Sequence, residues 1–347
     1  MKKTIFILLG LLAIVAAFFA WKLLGPGTNF TDKVYTLYIK TGSSYKDVVA
    51  TLEKDKVINS SSSFNFISNR LNYIDKVKAG RYDIKKGSSI LSIVRMLRNG
   101  TQTPVNLVIT KLRTKENLAA LIGRKFECDS TAVIQYLNSN DSLHKFGLDS
   151  NTAMTLVFPN TYTFYWNTSV SKIIATLQKE QDNFWNSSRI SKAKEKGLTP
   201  AQAYTLASIV EEETNAPQEK GTIASVYLNR IAKGMRLGAD PTVKFALKDF
   251  SLKRIYYKHL AAESPYNTYR VAGLPPGPIC TPSTATIDAV LNAPATNYLY
   301  FVASSQFNGT HNFAATYEEH LKLAKEYQQA LDKLMDQKKA NEQIDSN

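Results

Sequence analysis

Thr199-Pro200-Ala201-Gln202-Ala203-Tyr204-Thr205-Leu206-Ala207-Ser208-Ile209-Val210-Glu211-Glu212-Glu213-Thr214 opens with the signals of a helix start. A Thr at the N-cap, a Pro at the first helical position and a Gln placed for a capping box deal with backbone N–H groups that a helix leaves unpaired. The spacing predicts a helix running to about Asn215. Leu206, Ile209 and Val210 then share a face at i, i+3 and i+4, and Glu213 falls at i+7 on that face. Partial burial there would penalise the charged carboxylate and raise its pKa above the usual value of about 4.3, as a general acid working near neutrality requires. Glu211 and Glu212 project away from the stripe, Glu211 toward the side of Tyr204, Ala207 and Ser208. The same spacing also allows all three glutamates to form a solvated helix end.

Downstream, Pro217 starts a second expected helix that ends at Gly234. Polar clusters follow: Asn229-Arg230, then Gly234-Met235-Arg236-Leu237-Gly238-Ala239-Asp240-Pro241-Thr242-Val243, then Ser264-Pro265-Tyr266-Asn267-Thr268-Tyr269. Their amide, hydroxyl and aromatic groups are what an N-acetylated sugar asks for, although each cluster taken singly reads equally as a turn-rich loop. The expected binding residues are Asn229, Arg236, Asp240, Thr242, Tyr266, Asn267, Thr268 and Tyr269. A last helix carries Leu323, Tyr327, Leu331 and Leu334 on one face, and the tail beyond Lys338 is expected to fray.

Upstream, between Val105 and Trp185, Phe158, Tyr162, Phe164 and Trp166 suggest a strand with an aromatic face. Core packing is the commoner fate of such a stripe, and stacking on sugar rings the sharper one. Earlier still, Ile39-Lys40-Thr41-Gly42-Ser43-Ser44 recurs as Ile84-Lys85-Lys86-Gly87-Ser88-Ser89, a spacing of 45 residues (Ile39 to Ile84). Val48, Val49 and Leu52 align with Ile93, Val94 and Leu97. Each copy reads as a short strand, a Gly-Ser turn whose serines can cap, and an amphipathic helix.

At the start of the chain, Met1-Lys2-Lys3 precedes an apolar run from Ile5 to Trp21, long enough as a helix to approach the roughly 30 Å of a bilayer's hydrocarbon core. Phe18, Phe19, Trp21 and Lys22 stand where a cleaved signal needs small residues, so a retained anchor with a cytoplasmic N-terminus is expected. The net charge of +14 over 347 residues would suit nucleic acid in the cytosol. Beyond an export segment it suits lipid headgroups and cell-wall carboxylates instead, and no nucleic-acid partner is expected. The four histidines and two cysteines are scattered, so neither a metal site nor a cofactor is expected, and the pairing state of Cys128 and Cys280 stays open. Neither a nucleophile elbow nor a phosphate loop is present, which leaves carboxylate chemistry.

Several of these motifs resemble the endolytic murein transglycosylase (MltG, or YceG-like) family. The resemblance rests on Leu206–Thr214, Ala224-Ser225-Val226-Tyr227-Leu228-Asn229-Arg230, Gly234-Met235-Arg236-Leu237 with Asp240-Pro241-Thr242-Val243, Tyr266-Asn267-Thr268-Tyr269 and Gly273-Leu274-Pro275-Pro276-Gly277-Pro278-Ile279. Tyr298-Leu299-Tyr300-Phe301-Val302-Ala303 and His311-Asn312-Phe313 also fit. It implies an α+β architecture: a transmembrane helix over 1–25, a LysM-like α/β module with the internal repeat over 34–103, a mixed α+β YceG-like catalytic domain over 105–338, and a polar tail over 339–347.

The implied reaction is non-hydrolytic cleavage between N-acetylmuramic acid and N-acetylglucosamine, leaving 1,6-anhydro ends. Glu213 aligns with the family's catalytic glutamate, with Glu211 in reserve. Implied partners are peptidoglycan strands, the cytoplasmic membrane through the N-terminal helix, and the synthases that extend peptidoglycan; the catalytic domain would lie outside the membrane. A hydrolytic muramidase with Asp240 as second carboxylate, and a non-catalytic wall-binding scaffold, are the alternatives. The sequence departs from the family pattern at Met154-Thr155, at Asn160 in Phe158-Pro159-Asn160-Thr161-Tyr162, at Gly238 where a glutamine is common, and at Cys280-Thr281-Pro282.

Overall fold

The structure, a computed structural model, describes residues 2–345; the side chains of 2–4, 15–16, 18–20, 22–23 and 338–345 lie outside that description. The fold is mixed α+β, with three two-stranded sheets among the described residues. It divides into two compact units: the first holds 1–107, 121–129 and 162–169, the second 108–120, 130–161 and 170–347. The chain therefore returns to the first unit twice, which a linear division near residue 105 does not contain.

Helix α1 covers Lys2–Leu24. The anchor expected over 1–25 falls in large part on side chains outside the description, and among the described residues no helix is long and apolar enough to cross a membrane. Strand β1 (Val34–Ile39), helices α2 (Tyr45–Lys54) and α3 (Ser61–Arg70), strand β2 (Gly80–Lys85) and helix α4 (Ile90–Asn99) follow. β1 and β2 pair antiparallel, Val34 opposite Lys85 and Ile39 opposite Gly80.

The sequence repeat is a structural one. Gly42 and Gly87 take the same left-handed turn, φ 83° and 80°, which an L side chain resists. Ser44 and Ser89 then cap α2 and α4 by accepting from Asp47 N and Ser92 N. Val48 and Leu52, like Ile93 and Leu97, are buried together with Leu37, Ile39 and Ile84. Helix α3, inserted between the copies, has no counterpart in the repeat. The returning segments are tied to this unit by Glu127, which accepts from Thr41 N and Thr41 Oγ1, both at 2.6 Å. Trp166 adds a ring contact at 4.9 Å to Tyr38.

Strand β3 (Val105–Ile109) pairs with β4 (Asn160–Phe164), and α5 (Lys115–Lys125), α6 (Ser130–Asn138) and α7 (Asn140–His144) lie between them in sequence. The aromatic stripe is core: Phe158, Tyr162 and Phe164 are buried, and Asn160 spends its side chain on the backbone N–H of Thr161.

The second unit continues with α8 (Val170–Phe184), α9 (Ser187–Glu195), α10 (Pro200–Glu213), α11 (Lys220–Ala232), α12 (Asp240–Leu247), α13 (Tyr257–Leu260), α14 (Thr284–Leu291), the hairpin β5 (Tyr300–Ala303) and β6 (His311–Ala314), and α15 (Tyr317–Asp345). Pro217 opens a 3-10 turn, Pro217–Glu219, and the α-helix proper begins one residue later. Leu323, Tyr327, Leu331 and Leu334 are the half-buried stripe of α15, whose backbone stays helical past Lys338 to Asp345.

Candidate active site

Helix α10 carries the site because it is the buried centre of its unit. Thr199 accepts from Gln202 N while Gln202 Oε1 accepts from Thr199 N at 2.8 Å, closing the expected capping box. From Ala203 to Val210 every side chain is buried. Burying Leu206, Ile209 and Val210 stabilises the fold by about 1.5–3 kcal/mol each. A helix apolar on all sides belongs inside a core rather than on one. Its polar atoms are met locally: Tyr204 donates to Val157 O, and Ser208 Oγ accepts from Ile279 N at 3.0 Å.

At the end of this helix the three glutamates meet three different neighbours, and none forms a solvated end. Glu211 faces α11 and α14: Lys220 Nζ lies 2.7 Å from Oε2, and Thr286 and Ser283 donate to the same oxygen. Burial pushes its pKa up, but the Lys220 and Thr286 hydrogen bonds outweigh burial and hold the carboxyl below its ordinary range. Glu212 meets the segment before α5, with Arg113 at 2.9 Å and Lys111 at 3.1 Å. There too burial is outweighed, by the Arg113 hydrogen bond and the Lys111 charge, and the carboxyl is held low.

Glu213 has no cation within ion-pair distance among the described residues. Its Oε1 accepts from Tyr227 Oη at 2.5 Å. Burial pushes it up to about 7; the Tyr227 bond works against burial, and the Asp240 charge adds to it. The side chain is still partly open to solvent, because it lines a cleft of about 440 Å³. A carboxyl that is both poised near neutrality and reachable can give up a proton and take one back.

The cleft is walled by Tyr227, Tyr269, Tyr300, Phe301, Tyr317 and His320, with Arg230, Leu237, Gly238 and Asp240 completing it. Arg230 fixes two of these walls, donating to Leu299 O at 2.6 Å and Leu237 O at 2.5 Å, with its guanidinium 5.2 Å from the Tyr300 ring. Tyr269 donates to Asp240 Oδ1 at 2.6 Å. Gly238 takes a left-handed φ of 59°, which favours glycine, whereas an added Cβ would come only into ordinary contact with Arg230 at 3.4 Å and Tyr269 at 3.6 Å.

Of the eight expected binding residues, the cleft thus gathers Asp240 and Tyr269 beside Glu213. Asn229 instead bonds Thr296 O and Tyr298 O, both at 2.9 Å. Thr242 and Thr268 are buried and bonded to each other at 2.8 Å, and Asn267 is buried holding Leu260 O and Ala262 O. These are braces of the loops that shape the cleft. Arg236 is exposed outside it, and Tyr266 lines a separate hollow. Glu211, the reserve acid, is held by Lys220 outside the cleft.

The expected binding set left out Tyr227, Arg230, Tyr300, Phe301, Tyr317 and His320, although Arg230 stood in the Asn229-Arg230 cluster read as suited to a sugar. Tyr227 and Arg230 sit at i and i+3 on α11, a spacing that puts them on one face and was legible. Tyr317 and His320 carried no signal, since α15 read only as an amphipathic helix. Among the described residues no group of three or more His, Cys, Asp or Glu is placed to hold a metal ion.

A buried helix presenting one protonatable carboxyl to an aromatic cleft, in a mixed α+β fold, is the arrangement of an acid/base site built on a single carboxyl. More narrowly, the chain belongs to the YceG-like family, whose model matches residues 37–326. It is similar to an endolytic murein transglycosylase of Bacillus subtilis, 30% identical over 321 residues that cover 88% of each chain. A protein of the same name from Streptococcus pneumoniae is 29% identical over 84% of this chain, which spans 58% of that longer relative. A crystal structure of a putative YceG-like protein from Listeria monocytogenes matches with a TM-score of 0.57 and 31% identity, covering 84% of this chain and 99% of that one.

Proposed function

We propose that this protein is a membrane-anchored endolytic lytic transglycosylase that cuts the bond between N-acetylmuramic acid and N-acetylglucosamine in nascent peptidoglycan, leaving 1,6-anhydro ends. The observation that carries the reading is Glu213, pushed up to about 7 by burial yet open to the cleft. Protonated, it gives its proton to the glycosidic oxygen as the bond to C1 breaks. As carboxylate it then takes the proton of the sugar's own C6 hydroxyl while that oxygen closes on C1. The nucleophile belongs to the substrate, so one acid/base group serves both steps. Tyr227 supports the second state, since its hydroxyl donates to the carboxylate. The aromatic walls suit the apolar faces of sugar rings.

Asp240 supports one rival. It lines the same cleft, and a hydrolytic muramidase needs a second carboxylate to act on water or on C1. Mass spectra of digested strands separate the two: anhydro ends support the transglycosylase, and reducing ends overturn it. A wild-type protein that binds strands without cutting them would make it a scaffold.

The anchor rests on the apolar run Ile5–Trp21 flanked by Lys2, Lys3 and Lys22. In this reading the catalytic unit lies outside the cytoplasmic membrane, and the capped strand-turn-helix repeat over 34–103 is a LysM-like, glycan-associating module. Work beside the synthases that extend the strands, setting where elongation ends, completes the proposal.

A further inference from the structure

Glu219 is a buried acid that the proposed reaction does not use. It closes the turn Pro217–Glu219 and stands at the N-cap of α11, yet its side chain caps no N–H of that helix. The carboxylate reaches across to β6 instead. Its Oε1 accepts from His311 N at 2.7 Å, and Oε2 faces His311 Nδ1 at 3.1 Å. A carboxylate only accepts, so the imidazole carries a proton on Nδ1.

From this pair a run of direct contacts leads to the acid of the cleft. The His311 ring meets Phe301 with centroids 5.4 Å apart and planes at 88°, and Phe301 meets Tyr227 at 5.9 Å and 88°. Both are edge-to-face arrangements, which ring quadrupoles favour. Tyr227 then donates to Glu213 Oε1 at 2.5 Å. At the other end of α11, Arg230 donates to Leu299 O at 2.6 Å. The hairpin is thus gripped at both ends of this helix, with Phe301 and Tyr227 between. Phe301 and Tyr227 line the cleft, whereas Glu219 and His311 do not, so this pair is not placed to touch substrate.

We propose that Glu219 and His311 are positioning residues: by fixing Phe301 they hold the Tyr227 phenol on Glu213. The inference rests on the role proposed above for Glu213 and adds to it a pair outside the cleft. Close-packed rings pass on a displacement because they have no empty space to absorb it. Without the pair, β6 loses two bonds to the start of α11, Phe301 gains freedom, and the phenol spends less time on the carboxylate. Donation from Tyr227 stabilises the charged form of Glu213, so losing it favours the protonated acid. The other titratable groups facing Glu213 are Arg230 on α11, Asp240 and Lys244 on α12, and Tyr269 beyond it, and all of these stay in place.

The test compares pH–rate profiles of the full-length protein on peptidoglycan strands with those of Glu219→Ala and His311→Ala, each alone and combined with Tyr227→Phe. Each single variant is expected to move the alkaline limb to higher pH by roughly half a unit, a fraction of a neighbour's usual effect. In the Tyr227→Phe background neither adds a further shift, because the bond they act through is already gone. Acting by charge alone, loss of Glu219 would move the limb to lower pH, as loss of a nearby acid does. An unmoved limb or a downward shift in either single variant, or an undiminished shift in the Tyr227→Phe background, overturns the proposal. Circular dichroism checks folding. For a variant that does not fold, Phe301→Leu takes its place, with the same expected shift and the same overturning results. If no strand is cut, the proposed function fails, and the positioning is read from an NMR titration of the isotope-labelled Glu213 carboxyl, identified by its loss in Glu213→Gln. The same upward shifts there support it, and an unshifted titration overturns it.

Discussion

Two regions meet at the end of α10 and treat neighbouring carboxyls in opposite ways. On the side of Lys220, Lys111 and Arg113, Glu211 and Glu212 are buried with cations and held ionised. On the cleft side, Glu213 is buried with a phenol and another acid's charge, and is pushed up to about 7. Residue type and helix position are nearly the same for all three. What differs is which element arrives beside each: α11 and α14 with a lysine and two hydroxyls, the pre-α5 segment with two cations, or α11 again with Tyr227. The proposed catalytic acid is thus the carboxyl to which the fold gives no ion-paired cation, only the more distant charges of Lys244 and Arg230.

The largest effect that could break this contrast is on turnover. Glu213→Gln is expected to lower kcat by about 10²–10⁴-fold, the usual worth of a positioned acid/base group, with strand binding retained. Anhydro ends counted by mass spectrometry check it. If Glu211→Gln silenced the enzyme while Glu213→Gln did not, the assignment would pass to the reserve acid and the comparison would be reversed.

Next in size is stability, where the two regions should respond with opposite signs. Glu211→Gln leaves Lys220 buried without its counter-charge and is expected to cost about 3 kcal/mol at pH 7, read as a lower denaturation midpoint. Because the folded pKa of Glu211 lies below its ordinary 4.5, the stability it contributes is present above that pH and is lost as pH falls through the folded value. Glu213 behaves inversely. Its contribution is fully present below 4.5 and is lost as pH rises to about 7. Glu213→Gln is therefore expected to be more stable than wild type at pH 8, by on the order of 2 kcal/mol, with the difference closing by pH 4. Chemical denaturation at the two pH values measures it, and equal stabilities at pH 8 would mean the buried carboxylate costs nothing.

These signs also mark how much was legible beforehand. The capping box, the repeat with its paired Gly-Ser turns and the α15 stripe are local devices, and local devices can be read from spacing. Placing Glu213 on an apolar stripe singled out the carboxyl that lines the cleft, but by an incomplete argument, because α10 is buried all round and the stripe is no boundary. The ion pairs of Glu211 and Glu212 join residues 9 and 99 positions apart in sequence. Nothing in the periodicity of α10 announces them, so a solvated end looked equally reasonable. The polar clusters misled for a related reason. Asn229, Thr242, Asn267 and Thr268 have sugar-binding chemistry, but buried backbone groups of nearby loops claim it first.

The smallest effects sharpen the contrast most, because they tune Glu213 without removing it. In the proposed reaction its protonated form acts first, so the rate should decline as pH rises through about 7. Tyr227→Phe removes the hydrogen bond that favours the carboxylate, so that alkaline limb should move to higher pH. Asp240→Asn removes a like charge, so it should move to lower pH. Each shift is expected to be within about one pH unit, the scale of a single neighbour's contribution. Opposed movements in pH–rate profiles would show that Glu213 is set by withheld cations plus these two neighbours. If Asp240→Asn instead abolished cleavage at every pH, Asp240 would be a second reacting carboxylate, and the cleft would belong to a hydrolase.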